Sequence, residues 1–340
     1  MRLGPRKRCI VFNPLPALAI LSNNFLDMSL APKTTSSYAS AFNRYTEFCT
    51  HHHLPLLPLA EQTLVLYATD LATSNAHSSI KVHMAAINYF AIRKGFSADF
   101  KAFRKLYLLI RGIKRSQGAQ FKKKKRDAIT PSMLLSIQQQ LFSSSTQYED
   151  KLMIWAALLT AFFGFLRVSE YTSSLKKTFD PQSTLLFSDL TRIDHSHALL
   201  LIKASKTDPF RQGVTITLAA NNTTLCPISA LLHYLHNHPT SSGPLFTYSN
   251  GRYLTRRDMN NLLRKFSGGQ LTLSSHSLRI GAASTAAAMG CPRWMIQGMG
   301  RWSSDCFRDY IRIPTRIIEK TSKKMACCDS AIQLFDPDLA

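Results

Sequence analysis

Acidic side chains are scarce in this sequence. Its 340 residues include 20 Asp+Glu against 42 Lys+Arg, which leaves a formal net charge of +22. A surplus of this size indicates a polyanionic partner, most simply nucleic acid, and argues against a generic small-molecule enzyme. The surplus is uneven, because residues 1–127 carry 20 basic and 6 acidic side chains, a net charge of +14. We therefore expect the N-terminal third to make the strongest electrostatic contribution to binding of the partner.

Long apolar runs are also missing. No stretch of 18 apolar residues occurs, so we expect no membrane span. A basic cluster and a short apolar run at the start imitate a signal peptide, but Pro14 and Pro16 interrupt the run and no clear cleavage site follows. Secretion is therefore not expected. We expect a nuclear protein if the source is eukaryotic, and otherwise a cytoplasmic one.

Motifs for disulfides, metals and nucleotides are absent as well. The seven cysteines are an odd number and include no C-x-x-C pair, which indicates free thiols in a reducing compartment. His233, His236 and His238 have no cysteine or carboxylate at ligand spacing, so we expect no metal and no other cofactor. No G-x-x-x-x-G-K loop occurs, which argues against nucleotide binding and hydrolysis.

Hydrophobic periodicity divides what remains into two domains. We expect an N-terminal extension, a helical domain, a basic linker, a mixed domain and a C-terminal tail, with these boundaries: 1–32, 33–113, 114–127, 128–320 and 321–340. Apolar residues at helical spacing predict four amphipathic helices over 33–115, the third ended by Gly95 and the fourth near Gly112, with Phe103, Leu106, Tyr107 and Ile110 on the inner face of the fourth.

The second domain mixes helical and strand patterns. Helices are predicted at 131–142, 149–164, 226–237, 256–267, 276–289 and 304–312, and strands at 184–188, 198–204 and 213–218. A hairpin-like turn from Lys206 to Gly213 joins the last two strands. The expected fold is therefore mainly α with a small antiparallel sheet.

The linker carries a dense cationic run, Lys122, Lys123, Lys124, Lys125 and Arg126. One interpretation is a solvated tether. The other is a tether that also crosses a nucleic-acid backbone and contributes to its binding. The run also resembles a nuclear import signal, which is a weak indication by itself.

Three short motifs stand out in the second domain. They are Gly164-Phe-Leu-Arg-Val-Ser-Glu170, His276-Ser-Leu-Arg279, and Gly300-Arg-Trp-Ser303, with Tyr310 ten residues after that glycine. In this order, with a lysine in a hairpin between the first and second, they resemble the tyrosine recombinase (phage integrase) family, closest in style to the recombinases of eukaryotic mobile elements. The resemblance implies a helical core-binding domain and an α+β catalytic domain.

The resemblance also implies a role for each motif residue in cutting DNA. Tyr310 is the nucleophile that forms a 3′-phosphotyrosine, and Arg167 and Arg279 hold the non-bridging phosphate oxygens, which planar guanidiniums suit. Lys206 protonates the leaving 5′-oxygen. His276 donates to the phosphate or helps to take the tyrosine proton.

Two assignments stay open. Glu170 either orients Arg167 or is a plain structural ion-pair partner. Nine residues before Tyr310 stands Arg301, where the family has His or Trp, and Trp302 follows one residue later. Either residue can occupy the phosphate-contacting position.

The implied protein is therefore a site-specific DNA recombinase or integrase that needs neither metal nor ATP. Its partner is double-stranded DNA, and the expected assembly is a homotetramer on two DNA sites. We expect the two domains to close around the duplex as a clamp. The C-terminal tail, with Ile332, Leu334 and Phe335, is expected to dock on the next protomer; the alternative is a tail that packs on its own catalytic domain or is disordered. The alternatives are a recombinase-derived DNA-binding protein that does not cut, and a type IB topoisomerase.

Overall fold

The computed structural model consists of two compact units, Met1–Lys123 and Lys124–Ala340. It describes residues 15–96, 99–100, 102–120, 126–205, 208, 210–238, 242–268, 271–313 and 315–326. No helix within those ranges is long and apolar enough to cross a membrane. Helices dominate and one small antiparallel sheet accompanies them, which confirms the predicted fold class.

Five helices make up the described part of the first unit: α1 (Leu15–Asp27), α2 (Pro32–His51), α3 (Glu61–Ser74), α4 (His77–Arg93) and α5 (Arg104–Gln120). The last four confirm the four predicted helices. Their apolar faces meet in one core, in which these side chains are fully buried: Tyr45, Leu64, Tyr67, Leu71, Ile80 and Ile87.

The prediction that the fourth of these helices ends near Gly112 is wrong. Helix α5 continues to Gln120 through the polar residues that the sequence assigned to the start of a linker. Gln117 is buried there, and its side chain forms hydrogen bonds with backbone groups of Ala72, Asn75 and His77. These tertiary contacts stabilise turns that have no apolar periodicity. Tyr107, predicted to face the core, is 58% exposed.

The second unit holds the remaining elements. They are α6 (Pro131–Phe142), α7 (Tyr148–Phe163), α8 (Val168–Tyr171), β1 (Leu190–Ile193), β2 (His197–Ile202), β3 (Val214–Ala219), α9 (Pro227–Asn237), α10 (Arg256–Phe266), α11 (Ser275–Ala288), α12 (Arg293–Gly300), a 3₁₀ helix (Asp305–Tyr310) and α13 (Thr315–Ala326). Helix α7 lies in the core, buried from Leu152 to Phe162.

The sheet has the strand order β1-β2-β3, with both pairs antiparallel. In the β2–β3 hairpin His197 pairs with Ala219 and Ile202 pairs with Val214, which confirms the predicted hairpin. The strand predicted at 184–188 is wrong. The Asp189 carboxylate accepts a hydrogen bond from the Leu186 backbone N–H at 2.8 Å and folds this segment into a short 3₁₀ turn, so the strand begins at Leu190 instead.

The helix predicted at 304–312 is also wrong, since a 3₁₀ helix covers only Asp305–Tyr310. Its continuation is blocked by a tertiary hydrogen bond: the Arg312 backbone N–H donates to the Ser284 hydroxyl of α11 at 2.9 Å rather than to a carbonyl of its own turn. The tail residues Ile332, Leu334 and Phe335 lie outside the described residues.

Candidate active site

The first motif forms a tight turn between α7 and α8. Gly164 ends α7, and a Cβ there would lie 2.7 Å from the Thr160 carbonyl oxygen and 2.9 Å from Ile216, so no larger residue fits. Phe165 follows with φ = 49°, a left-handed conformation that is uncommon outside glycine. This turn brings Arg167 to the first position before α8 and leaves the carbonyls of residues 164 and 165 to accept hydrogen bonds.

The Glu170 carboxylate is the centre of the first half of the site. Its side chain is completely buried and accepts three hydrogen bonds: from the Arg167 backbone N–H at 2.8 Å, from Arg167 Nη1 at 3.0 Å, and from Arg301 Nη2 at 2.7 Å. One carboxylate therefore joins two arginines from distant parts of the sequence. Arg167 keeps a side-chain exposure of 15%.

Arg279 lies on α11 and is fully buried. Its Nη1 donates to the Phe165 carbonyl and its Nη2 to the Gly300 carbonyl. The guanidinium carbon lies 4.3 Å from the centre of the Trp302 ring and 5.7 Å from that of the Tyr310 ring. Arg279 therefore ties the first motif to the third while lying beneath two aromatic rings.

Helix α11 is seated deeply enough to do this because Gly281 has no side chain. A Cβ at that position would overlap the Ile129 carbonyl oxygen at 1.9 Å. The Ile129 backbone N–H also donates to the Ser277 carbonyl at 3.1 Å. Gly281 thus allows helix α11 to approach the backbone at Ile129 closely.

Arg301 and Trp302 point to different partners. Arg301 ends α12 with φ = 54°, and its guanidinium donates to the Gly164 carbonyl at 3.1 Å and the Phe165 carbonyl at 3.3 Å in addition to Glu170. The Trp302 ring packs over Gly300, where a Cβ would lie 1.6 Å from a ring atom. Both residues of the predicted alternative are therefore in the site.

The side chains of His276 and Tyr310 lie next to each other in the site. Their ring centres are 5.0 Å apart, and the Tyr310 ring is 4.9 Å from the Trp302 ring. Tyr310 is the last residue of the 3₁₀ helix and is half-buried. The described residues of all three motifs therefore lie together in one site.

The site carries more positive than negative charge. Three guanidiniums, from Arg167, Arg279 and Arg301, lie near one carboxylate, that of Glu170, which pairs with Arg167 and Arg301. Burial lowers the pKa of Arg279 to about 10, with the neighbouring Arg167 as the next cause, and burial also lowers the pKa of Arg301. Charges that are desolvated and close to like charges interact strongly with an added anion.

Unpaired donors make the same point. Among the residues that the structure describes, three buried N–H groups of the site have no acceptor: Arg279 Nε, Arg301 Nε and Trp302 Nε1. A buried donor without a partner costs about 1–3 kcal/mol, so a ligand that supplies acceptors there gains that energy on binding. The site is therefore suited to a ligand rich in acceptor oxygens.

Five of the predicted site residues lie outside the described residues: Lys206, Lys122, Lys123, Lys124 and Lys125. Arg126 is described and exposed, and its charge acts on His276. Lys203, at the end of the hairpin strand, pairs with Asp189 at 2.7 Å. Sequence reasoning missed that pair, the three accepting backbone carbonyls, and Ser284, which follows Arg279 by five residues on α11.

His276 is held neutral at ordinary pH. Burial is the largest cause of its lowered pKa, about 4, and the positive charges of Arg126, Arg279, Arg167 and Arg256 add to it. An ordinary histidine titrates near 6.5. Between these two values the unfolded chain binds more protons than the folded one, so stability falls as the pH drops from about 6.5 towards 4.

We expect His276→Asn to flatten this part of the pH profile. Urea denaturation between pH 7.5 and 4.5, followed by tryptophan fluorescence, measures it, because Trp155, Trp294 and Trp302 all belong to the second unit. The wild type should lose more stability than the variant on acidification. Parallel profiles for the two proteins would contradict the assignment of a low pKa to His276.

A second feature lies in the first unit, between α2 and α4. An open cleft of about 990 Å³ is lined by one stripe of α2 at helical spacing and by residues around the start of α4: Lys33, Ser36, Ser37, Ser40, Ala41, Asn43, Arg44, Glu47, Asn75, Ser79, Val82 and His83. Hydroxyls, amides and cations dominate the lining. Sequence reasoning followed the apolar stripe of α2 and missed this polar one on the opposite face.

No family model matches the chain. It is 24% identical over 287 residues to the integrase/recombinase xerD homolog of Selenomonas ruminantium, an alignment that covers 79% of this chain and 78% of the relative.

Solved structures share the fold. The XerH site-specific recombinase bound to its difH substrate superposes with a TM-score of 0.56 at 12% identity, covering 84% of this chain and 78% of XerH. A lambda integrase dimer bound to a COC′ core site gives 0.54 at 16% identity, covering 88% and 95%. The Tn1549 transposon integrase in complex with transposon right-end DNA gives 0.52 at 13% identity, covering 92% and 98%. At 12–16% identity, these structures show that the chain shares the fold of these recombinases and integrases.

Proposed function

We propose that this protein is a DNA recombinase that cuts double-stranded DNA through a 3′-phosphotyrosine at Tyr310 and rejoins it. The observation that carries the proposal is the surplus of positive charge and of unpaired N–H donors beside that tyrosine. A phosphodiester supplies negative oxygens that match them. The transition state carries more charge on these oxygens than the substrate does, so the same donors bind it more strongly.

In the proposed cleavage step, Tyr310, His276, Arg167 and Arg279 each have a role. The Tyr310 hydroxyl oxygen attacks phosphorus, its proton goes to the neutral His276 ring, and the bond to the 5′-oxygen breaks. Arg167 and Arg279 stabilise the non-bridging oxygens. The phosphotyrosyl bond keeps the energy of the broken bond, so rejoining by the 5′-hydroxyl needs neither ATP nor a metal.

Lys206 supplies the proton to the leaving 5′-oxygen in this proposal. The other lysine nearby in the hairpin region, Lys203, pairs with Asp189 at 2.7 Å, and a lysine held in this way is a poor acid for a substrate. That contact favours Lys206 over its neighbour.

Trp302, rather than Arg301, contacts the phosphate in this proposal. The two terminal nitrogens of Arg301 already donate to Glu170 and to the carbonyls of residues 164 and 165, so only its Nε lacks an acceptor, whereas Nε1, the one side-chain N–H of Trp302, has no acceptor. Arg301 instead positions Arg167 through their shared carboxylate. The Arg301-Trp302 pair is also what supports the narrower resemblance to recombinases of eukaryotic mobile elements.

The cleft of the first unit supports a DNA-gripping role for that unit. Lys33 and Arg44 can neutralise phosphates, and Asn43 has an amide of the kind that recognises base edges. The serines between them are small enough to let a duplex backbone come close.

We expect the double substitution Lys33→Ala, Arg44→Ala in the full chain to weaken DNA binding and flatten its salt dependence. Removing one phosphate-binding cation lowers the slope of log Kd against log salt by about 1, so a decrease of about 2 is expected for the pair. Fluorescence anisotropy from 50 to 300 mM salt measures it. Lys94→Ala, which removes an exposed cation outside the cleft, is the control. An unchanged slope in the double variant would mean that other residues bind the DNA phosphates.

Recombination joins two duplexes, so the proposed assembly is a homotetramer on two DNA sites. Helix α13 supports a contact between protomers, because Ile318 and Met325 are 53% and 72% exposed and α13 has no buried residue among those whose burial the structure describes. Such a helix gains stability by covering its apolar side on a neighbour.

A nicked suicide substrate tests the proposed function. Cleavage next to the nick releases a short fragment, so the covalent complex cannot religate and accumulates. Peptide mapping of the DNA-linked peptide should identify Tyr310. Site-dependent binding with no covalent complex would instead favour a DNA-binding protein that does not cut. Relaxation of supercoiled plasmid without site dependence would favour a topoisomerase.

A further inference from the structure

The Ser284 hydroxyl connects the helix that carries His276 and Arg279 to the segment that carries Tyr310. Ser284 is nearly buried on α11, with 8% exposure. Its Oγ donates to the Tyr310 carbonyl at 3.1 Å and accepts from the Arg312 backbone N–H at 2.9 Å. One hydroxyl thus bonds the backbone on both sides of Ile311.

The spacing along α11 gives this contact a consequence for Tyr310. Arg279 and His276 precede Ser284 by five and eight residues, which is about 7 Å and about 12 Å along the helix axis. The Tyr310 backbone is fixed at Ser284, and its ring reaches back to lie 5.0 Å from the His276 ring and 5.7 Å from the Arg279 guanidinium. The rigid helix therefore sets how far the tyrosine lies from both groups.

We infer that Ser284 is a positioning residue for the cleavage step. It also ends the 3₁₀ helix at Tyr310, because it takes the Arg312 N–H that a continuing helix would use within its own turn. The inference rests on the proposed role of Tyr310. Ser284 acts on the backbone of the nucleophile and not on DNA, so its loss should slow cleavage without weakening binding.

Three variants of the full chain test this with the nicked substrate. Ser284→Ala should slow covalent-complex formation about 10- to 100-fold, the scale expected for a misplaced reacting group, with Kd for uncleaved DNA changed less than about twofold. Ser284→Thr keeps the hydroxyl and should stay within about threefold of the wild-type rate. Thr285→Ala removes the next hydroxyl on α11 and should change neither value.

Hydrogen exchange of the Arg312 amide is the second measurement. It should speed up in Ser284→Ala and not in Ser284→Thr. A wild-type cleavage rate in Ser284→Ala, or an equal loss in the alanine and threonine variants, overturns the positioning role. Parallel losses of cleavage and DNA binding overturn it too. A wild-type protein that forms no covalent complex at all overturns the proposed function instead, and the Arg312 exchange rate then decides whether Ser284 holds this segment.

Discussion

Tyr310→Phe should reduce covalent DNA complex to below about one thousandth of the wild-type level, because the change removes only the attacking oxygen. The phenylalanine ring keeps the packing against His276 and Trp302, whose ring centres lie 5.0 and 4.9 Å from that of Tyr310. DNA affinity should therefore change by less than about threefold. The nicked substrate, resolved on a denaturing gel, measures the first quantity and fluorescence anisotropy measures the second.

Tyr253→Phe is the matched control. Tyr253 belongs to the same unit, is partly buried and packs edge-on against Phe179 at 5.4 Å, outside the site. It should leave the covalent complex at the wild-type level. Persistence of the complex in Tyr310→Phe would show that another residue attacks, and its disappearance in Tyr253→Phe would show that the assay reports folding rather than chemistry.

Glu170→Gln should give the largest loss of stability among substitutions in the site. The amide has nearly the shape of the carboxylate, but it leaves two largely buried guanidiniums, Arg167 and Arg301, without their counter-charge and turns an N–H₂ group towards one of the donors. Breaking a buried ion pair from one side costs about 3–5 kcal/mol. Urea denaturation followed by tryptophan fluorescence reads the second unit alone.

Asp305→Asn provides the comparison. Asp305 also pairs with two arginines, Arg293 at 3.4 Å and Arg308 at 2.9 Å, but it is 61% exposed. Exposed pairs contribute about 0–1 kcal/mol, so this variant should unfold near the wild-type midpoint. Equal effects of the two substitutions would mean that Glu170 is not the electrostatic centre of the site. Cleavage should also fall in Glu170→Gln, because Arg167 loses the group that orients it.

Much of the fold follows from local patterns. Apolar residues at helical spacing predicted α2 to α5 in the first unit, and α6 over 131–142 with the bounds that the structure has. The strand patterns at 198–204 and 213–218, on either side of the 206–213 turn, predicted the hairpin. Such patterns report which side of an element is buried, and burial is what stabilises these helices and strands.

The errors have a common cause. Helix α5 extends because Gln117 bonds backbone groups of α3, of α4 and of the turn between them. The 3₁₀ helix stops at Tyr310 because the Arg312 N–H donates to Ser284. The strand predicted at 184–188 yields to a turn that Asp189 closes. In each case a single polar side chain outweighs a weak local preference.

The sequence by itself determined the cationic surplus, the element types of the two domains and the set of residues that we propose cut a phosphodiester. Only the tertiary structure decided how those residues are used. Arg279 and Arg301 both donate to the Phe165 carbonyl, 114 and 136 residues away, and Glu170 serves two arginines that no local pattern relates. Side-chain types reveal which chemistry is available, but hydrogen bonds are short and directional, so which donor is already satisfied and which faces the substrate depends on contacts that form only when the chain has folded.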